Sequence, residues 1–254
     1  MDTRFWGPSG WKLLHLITFS YSPERDKKNV CKFFHVLPYV LPCKFCRASL
    51  SVYIMEDPIE DACESPLELQ KWLWRIHNKV TDKLRKSGFT KAENPPFSEV
   101  AEMYKAKLDQ GCSRTVFDGW DFLFSIAENH PFSRSGNSSI PLPTAPPLSE
   151  LTTPLLRNRW NYMESEERMK FYGDFWDILP KVLPFEEWRK GWGTIHYETR
   201  KDTLMSLWKI RSSLEKDLEL INRTTFSSLC KVLQNVRSGC NASSRSKTCR
   251  RKKT

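Results

Sequence analysis

The chain repeats itself. SGWKLLHLITFSYSP at 9–23 has a counterpart in DGWDFLFSIAENHPF at 118–132, and KFFHVLPYVLPCKFCRA at 32–48 aligns with DFWDILPKVLPFEEWRK at 174–190. LWRIHNKVTDKL at 73–84 aligns with LWKIRSSLEKDL at 207–218. The three matches run in one order, and the middle pair shares an L-P-x-V-L-P core. Collinear self-similarity of this kind marks a duplicated unit, each copy of which must bury the same apolar framework. Whatever fold the first copy takes, the second has to approximate it.

The pattern within each copy is helical. Apolar residues recur at i, i+3 and i+4 over residues 10–20, 31–41, 43–55, 66–86, 98–108, 117–128, 166–180, 185–191 and 198–236, and nothing alternates between hairpin turns. This predicts an all-α chain. The second copy carries extra spacing between its first two matched helices, across the Pro/Ser-rich stretch at 131–156, which reads as an inserted loop. The organisation is then a first helical domain at 1–112, a second at 113–236, and a basic disordered tail at 237–254. That tail holds Arg245, Lys247, Arg250, Arg251, Lys252 and Lys253, a large part of the formal net charge of +10. It offers the only route to nucleic acid or acidic partners. No run approaches the roughly 18–20 apolar residues that cross a bilayer. The N-terminus has one early basic residue and no small-residue cleavage site, so no secretory leader is expected.

The copies differ in their chemistry. Cys43 and Cys46 of P-C-K-F-C correspond to Phe185 and Trp188, His15 to Phe124, and His77-Asn78 to Arg211-Ser212. The second copy keeps the apolar frame and lacks the polar and redox groups. Vicinal cysteines store two electrons as a dithiol and release them as a disulfide. Pro42 suits a first helical turn, which would set both sulfurs at a helix N-terminus, where the dipole favours thiolate. Eight cysteines without a leader point to a reducing compartment, in which C-x-x-C is catalytic or metal-binding. Cys31, Cys63, Cys112 and Cys230 are read as small apolar residues. His35, His130 and His196 are read as structural. A structural zinc site wants four ligands, commonly two close pairs, and no second C-x-x-C exists. A thioredoxin-like site wants a preceding strand. The alternatives to redox chemistry are a zinc-binding protein and a non-enzymatic helical adaptor with a nucleic-acid-contacting tail.

W-G-P-S-G-W-K-L-L-H, then P-C-K-F-C, then H-N-K-V-T-D-K-L resembles the FAD-linked sulfhydryl oxidases of the Erv/ALR group, above all the compact versions of large cytoplasmic DNA viruses. The resemblance covers residues 5–90 directly and the second half through the repeat. It implies a four-helix bundle with a short fifth helix, followed by a degenerate copy acting as a covalent pseudo-dimer partner, with one FAD per chain and room for further dimerisation. It implies Cys43 and Cys46 as the catalytic pair, Cys43 receiving electrons and Cys46 facing the flavin. Trp11, His15, His77 and Asn78 would contact the nucleotide, and Lys83 and Lys86 the phosphates. No metal is implied. Electrons would come from protein dithiols or a thioredoxin-like carrier and go to molecular oxygen, giving hydrogen peroxide, in the host cytoplasm or the virion. Cys240 and Cys249 in the tail are candidates for a shuttle pair. Two positions depart from the family pattern: Thr81 stands where a second Asn is usual, and Trp74 stands where many members have a clamping cysteine.

Overall fold

A computed structural model of the chain describes residues 1–112, 117–132, 165–220 and 224–237. The tail with Cys240 and Cys249, and nearly all of the Pro/Ser stretch, lie outside the described residues. Among those residues every regular element is a helix: α1 (Thr3–Phe19), α2 (Pro23–Val40), α3 (Lys44–Glu56), α4 (Ile59–Ala62), α5 (Pro66–Lys86) and α6 (Phe97–Asp109), then α7 (Trp120–Glu128), α8 (Ser165–Val182), α9 (Glu186–Gly191), α10 (Arg200–Asp217) and α11 (Phe226–Arg237). None is long and apolar enough to cross a membrane.

Local chemistry sets the boundaries. Asp2 caps α1 by accepting the Arg4 N–H, which starts that helix a full two turns before the periodic apolar pattern does. Pro23 begins α2 in the first-turn position, with Glu24 and Asp26 beside the positive end of the dipole. Ser65 accepts the Glu68 N–H at the start of α5, and Thr199 accepts the Asp202 N–H at the equivalent start of α10. The predicted stretch 198–236 is two helices. α10 closes where Glu219 turns left-handed (φ 52°) and the Leu220 N–H returns to the Glu215 carbonyl at 2.7 Å, and the chain resumes as α11 with Leu229 and Leu233 buried.

In the first half α1, α2, α3 and α5 pack as a bundle, with α4 bridging and α6 laid across α1 and α5. The second half repeats these neighbours: α7 on α10, α8 on α9 and α9 on α10 match α1 on α5, α2 on α3 and α3 on α5. The two halves meet through matched helices, α1 on α7 and α2 on α8. Matched residues also meet. Lys32 pairs with Asp174 at 2.6 Å, and the Phe33 and Phe175 rings stack 5.7 Å apart. The Ser9 hydroxyl donates to the Asp118 carbonyl at 3.4 Å. Gly10 sits under Phe122, where a Cβ would come within 3.0 Å of the ring. Its counterpart Gly119 sits against Leu13, the counterpart of Phe122, where a Cβ would come within 2.8 Å. Reciprocal contacts of this kind, i on j and j on i, belong to a two-fold arrangement. One apolar core runs through both halves, from Trp6 to Leu233.

One reading is corrected. Cys31 and Cys63 are not independent apolar residues but a disulfide, Cα to Cα 6.6 Å, tying α2 to the end of α4. The Tyr21 hydroxyl donates to the Cys63 carbonyl at 2.5 Å, which fixes the same corner. The pairing was hidden in the sequence because the two cysteines lie 32 residues apart and match no local motif. Closing a loop of that length stabilises a fold by about 3–4 kcal/mol through the unfolded chain. Cys31→Ser is therefore expected to lower the unfolding free energy by about that amount in urea titration, and peptide mapping without reductant should recover the linked pair.

Candidate functional site

The C-x-x-C opens α3. Cys43 is the N-cap in extended conformation, and the Cys46 and Arg47 N–H groups donate to its carbonyl at 3.0 Å each. Pro42 thus precedes the cap instead of occupying the first turn, because the chain must leave α2 extended through Leu41 (φ −51°, ψ 136°) before α3 can start. Both thiols are half-buried, Cys43 at the cap and Cys46 in the first turn, at the positive end of the α3 dipole. Their burial is of one class, so exposure does not separate an entry sulfur from a flavin-facing one. At the matched position of the second half, Phe185 caps α9 and packs edge-on against Trp188 at 4.7 Å.

A second group of residues gathers between α1, α5 and α6. Trp11 and His77 stack face to face, centroids 3.9 Å apart and 10° from parallel. His15 Nε2 lies 3.1 Å from His77 Nδ1, so one imidazole donates its N–H to the other. Tyr104 of α6 covers the far side of His15 at 4.8 Å. This tyrosine was not singled out by the sequence, where it is simply one apolar position of a short helix. Burial pushes His15 down to about 3, with His77 adding to the shift, and His77 down to about 4. Both rings are neutral at neutral pH. His15 Nδ1 is buried with no partner, an orphaned polar atom inside an aromatic site.

Asn78 follows His77 on α5 and is half-buried. Lys83 and Lys86 lie six and nine residues beyond His77, about 9 and 14 Å along the axis. Both are exposed, and Lys83 donates to Ser49 of α3 at 2.5 Å. A line of aromatic faces, neutral imidazoles and then cations suits a planar heterocycle joined to phosphates. Among the described residues no group of three or more His, Cys, Asp or Glu side chains is placed to hold a metal ion.

The departures have physical substitutes. Trp74 donates its indole N–H to the Pro95 carbonyl at 2.9 Å and packs edge-on against Phe97 at 6.0 Å, tying α5 to the approach of α6. Thr81 is half-buried, and its neighbour Asp82 accepts from Arg85 and Asn94 at 2.8 and 2.9 Å. In the second half the aromatic site is plugged. The Arg211 guanidinium lies 5.8 Å from the Trp120 ring, 5.9 Å from Phe124 and 5.5 Å from Trp208, held by Glu215 at 2.7 Å.

Residues 8–104 match the Erv1 / Alr family. The mitochondrial FAD-linked sulfhydryl oxidase ERV1 of Saccharomyces cerevisiae is 34% identical over 91 residues, which are 35% of this chain and 47% of the relative. The chain therefore spans about half the length of the curated relative it matches. No solved structure matches the chain.

The buried His15 and the half-buried His77 make stability pH-dependent. Unfolded, both titrate near 6.5, whereas folded they resist protonation down to about 4 and about 3. Their contribution is complete above 6.5 and is lost as pH falls from 6.5 through those folded values. By pH 5.5 the pair should have cost about 2–3 kcal/mol. Urea unfolding at pH 7 and 5.5 should show this loss in the wild type, and a clearly smaller one in the His15→Phe/His77→Gln double variant.

Proposed function

We propose that the first half, residues 1–112, is an FAD-linked thiol oxidase, and that Cys43 and Cys46 are its redox pair. The observation that carries this reading is the C-x-x-C at the head of α3, in the same bundle as the stacked Trp11–His77–His15 group and within the segment that matches the Erv1 / Alr family. A substrate dithiol is oxidised to its disulfide with release of two electrons and two protons, and oxygen takes both to become hydrogen peroxide. FAD, when bound, supplies the two-electron acceptor between the cysteine pair and oxygen.

The chain's own residues do the rest. Thiolate is the reactive form, and the N-terminal N–H groups of α3 favour it. Cys43, as the cap, exchanges with the incoming dithiol, and Cys46, one turn into the helix, faces the cofactor. Trp11 and His77 offer aromatic faces to the nucleotide, and the orphaned His15 Nδ1 offers it a polar atom. Asn78 adds an amide at the same level, and Lys83 and Lys86 sit where phosphates would follow. Tyr104 covers His15 and keeps water from the neutral imidazoles.

The second half serves as a covalent pairing partner, a duplicated unit without a site. The matched contacts of α1 with α7 and α2 with α8 support this, as does Arg211 filling the equivalent aromatic site. Cys240 and Cys249 form a tail shuttle that brings electrons from protein dithiols, and the motif resemblance favours a viral setting in the host cytoplasm or virion.

Cys43→Ser and Cys46→Ser should each abolish dithiothreitol-driven oxygen consumption while the chain still binds FAD, and wild-type absorbance should report one flavin per chain. Turnover by both variants would exclude the assignment. Removing residues 238–254 should slow oxidation of a protein dithiol far more than that of dithiothreitol, and equal effects would exclude the shuttle.

A further inference from the structure

Three helices surround the paired imidazoles, and α6 is the least embedded of them. α1 buries nine residues and α5 five, whereas α6 buries only Val100 and Tyr104 of its 13. These two pack with Leu16 and Phe19 of α1 in a small cluster apart from the main core. Tyr104 nevertheless supplies the cover of His15. A segment with so few buried apolar contacts opens at low cost in free energy unless something else fastens it. Its first turn is fastened by Phe97 against Trp74 of α5.

Its last turn is fastened by one carboxylate from the start of the second half. Lys107 pairs with Asp118, and Lys12 of α1 approaches the same carboxylate at 3.5 Å. The Asp118 backbone is itself pinned to α1: the Ser9 hydroxyl donates to its carbonyl at 3.4 Å and accepts the Phe122 N–H at 3.3 Å. Asp118 therefore joins α6, α1 and α7 at a fixed point. Among the described residues no other ion pair reaches α6. The second half has a matching cover, α11 on α7, whose end is also tied across the interface by the Asp2 N–H to the Val236 carbonyl at 2.9 Å. There, Arg237 adds a pair with Glu128, whose side chain is 2% exposed and is also held by Arg200. The Asp118 and Lys107 side chains are 18% and 36% exposed, so the fastening of α6 is the wetter one and the easier to release.

We propose that Asp118 is a positioning residue that latches α6 over the Trp11–His77–His15 group, so that the second half sets how fast FAD leaves the first. Asp118 acts through Lys107, which holds the helix that carries Tyr104. Release of the pair lets the last turns of α6 lift from α1 and uncovers His15, while the bundle of α1, α2, α3 and α5 stays packed. The latch rests on the FAD reading of that group, but the opening of α6 is measurable whether or not flavin is bound.

Amide hydrogen exchange of residues 97–109 in the full-length chain as purified reads the opening of α6 directly. Asp118→Asn should speed exchange there about fivefold, the effect of losing a partly exposed ion pair, while α2 and α8 exchange at the wild-type rate. FAD release, followed by flavin fluorescence after dilution, should quicken by about the same factor. Asp118→Glu keeps the charge within reach of both lysines and should leave both rates near wild type. Lys107→Gln removes the pair from the α6 side and gives the same two readouts should Asp118→Asn not fold. Unchanged α6 exchange in the folded variants overturns the latch. So does exchange that quickens equally in α2 and α8, which marks a general loss of stability. Faster α6 exchange with FAD release unchanged overturns it as well. If α6 exchange quickens but neither wild type nor variant takes up added FAD, the FAD reading fails and the fastening of α6 by Asp118 stands.

Discussion

The face shared by α2 and α8 governs the rest of the molecule. Phe33 lies on Phe175, Lys32 on Asp174, and Tyr39 stacks on Phe171 at 3.6 Å, so a helix from each half buries its apolar stripe on the other. Uncovered, either stripe would be an extended exposed apolar patch. From that face the site follows by short covalent steps. α2 ends at Val40, Leu41 and Pro42 run extended, and Cys43 caps α3, with Arg47 pinned to the Leu41 carbonyl. On the other side Phe34 meets Trp72 edge-on at 5.1 Å, which sets α5 and with it His77. The cysteines and the imidazoles are thus positioned from one packed surface, on rigid helices and not on loops.

Much of this was legible because helices advertise themselves. The L-P-x-V-L-P pair placed α2 and α8 in matching roles, and the S-P-L-E and T-R-K-D starts of α5 and α10 are caps that a reader of sequence can see. The cysteine pair and the histidines were visible through a resemblance in motif and spacing. What stayed hidden depends on tertiary contact. The Cys31–Cys63 bond joins positions with no local signal. Tyr104 matters only because α6 folds back over His15. The break after Asp217 was missed because the apolar period continues through it, while the backbone reverses at Glu219.

The tandem arrangement also explains an asymmetry that a true homodimer could not hold. In a two-fold dimer of identical chains every interface residue occurs twice, so both ends would carry the same contacts. Joining the copies covalently frees the two ends to differ. One end holds Asp26 between Arg25 and Arg189, and the other carries Arg168 at the position matched to Asp26. The same freedom accounts for Arg211, which lies over Trp120 in a cation–π contact where the first half has His77 stacked on Trp11. Tethering further makes the pairing independent of protein concentration, because the partner is always present. The second half therefore has a physical task apart from any chemistry, covering the apolar face of the first through α2 on α8 and α1 on α7.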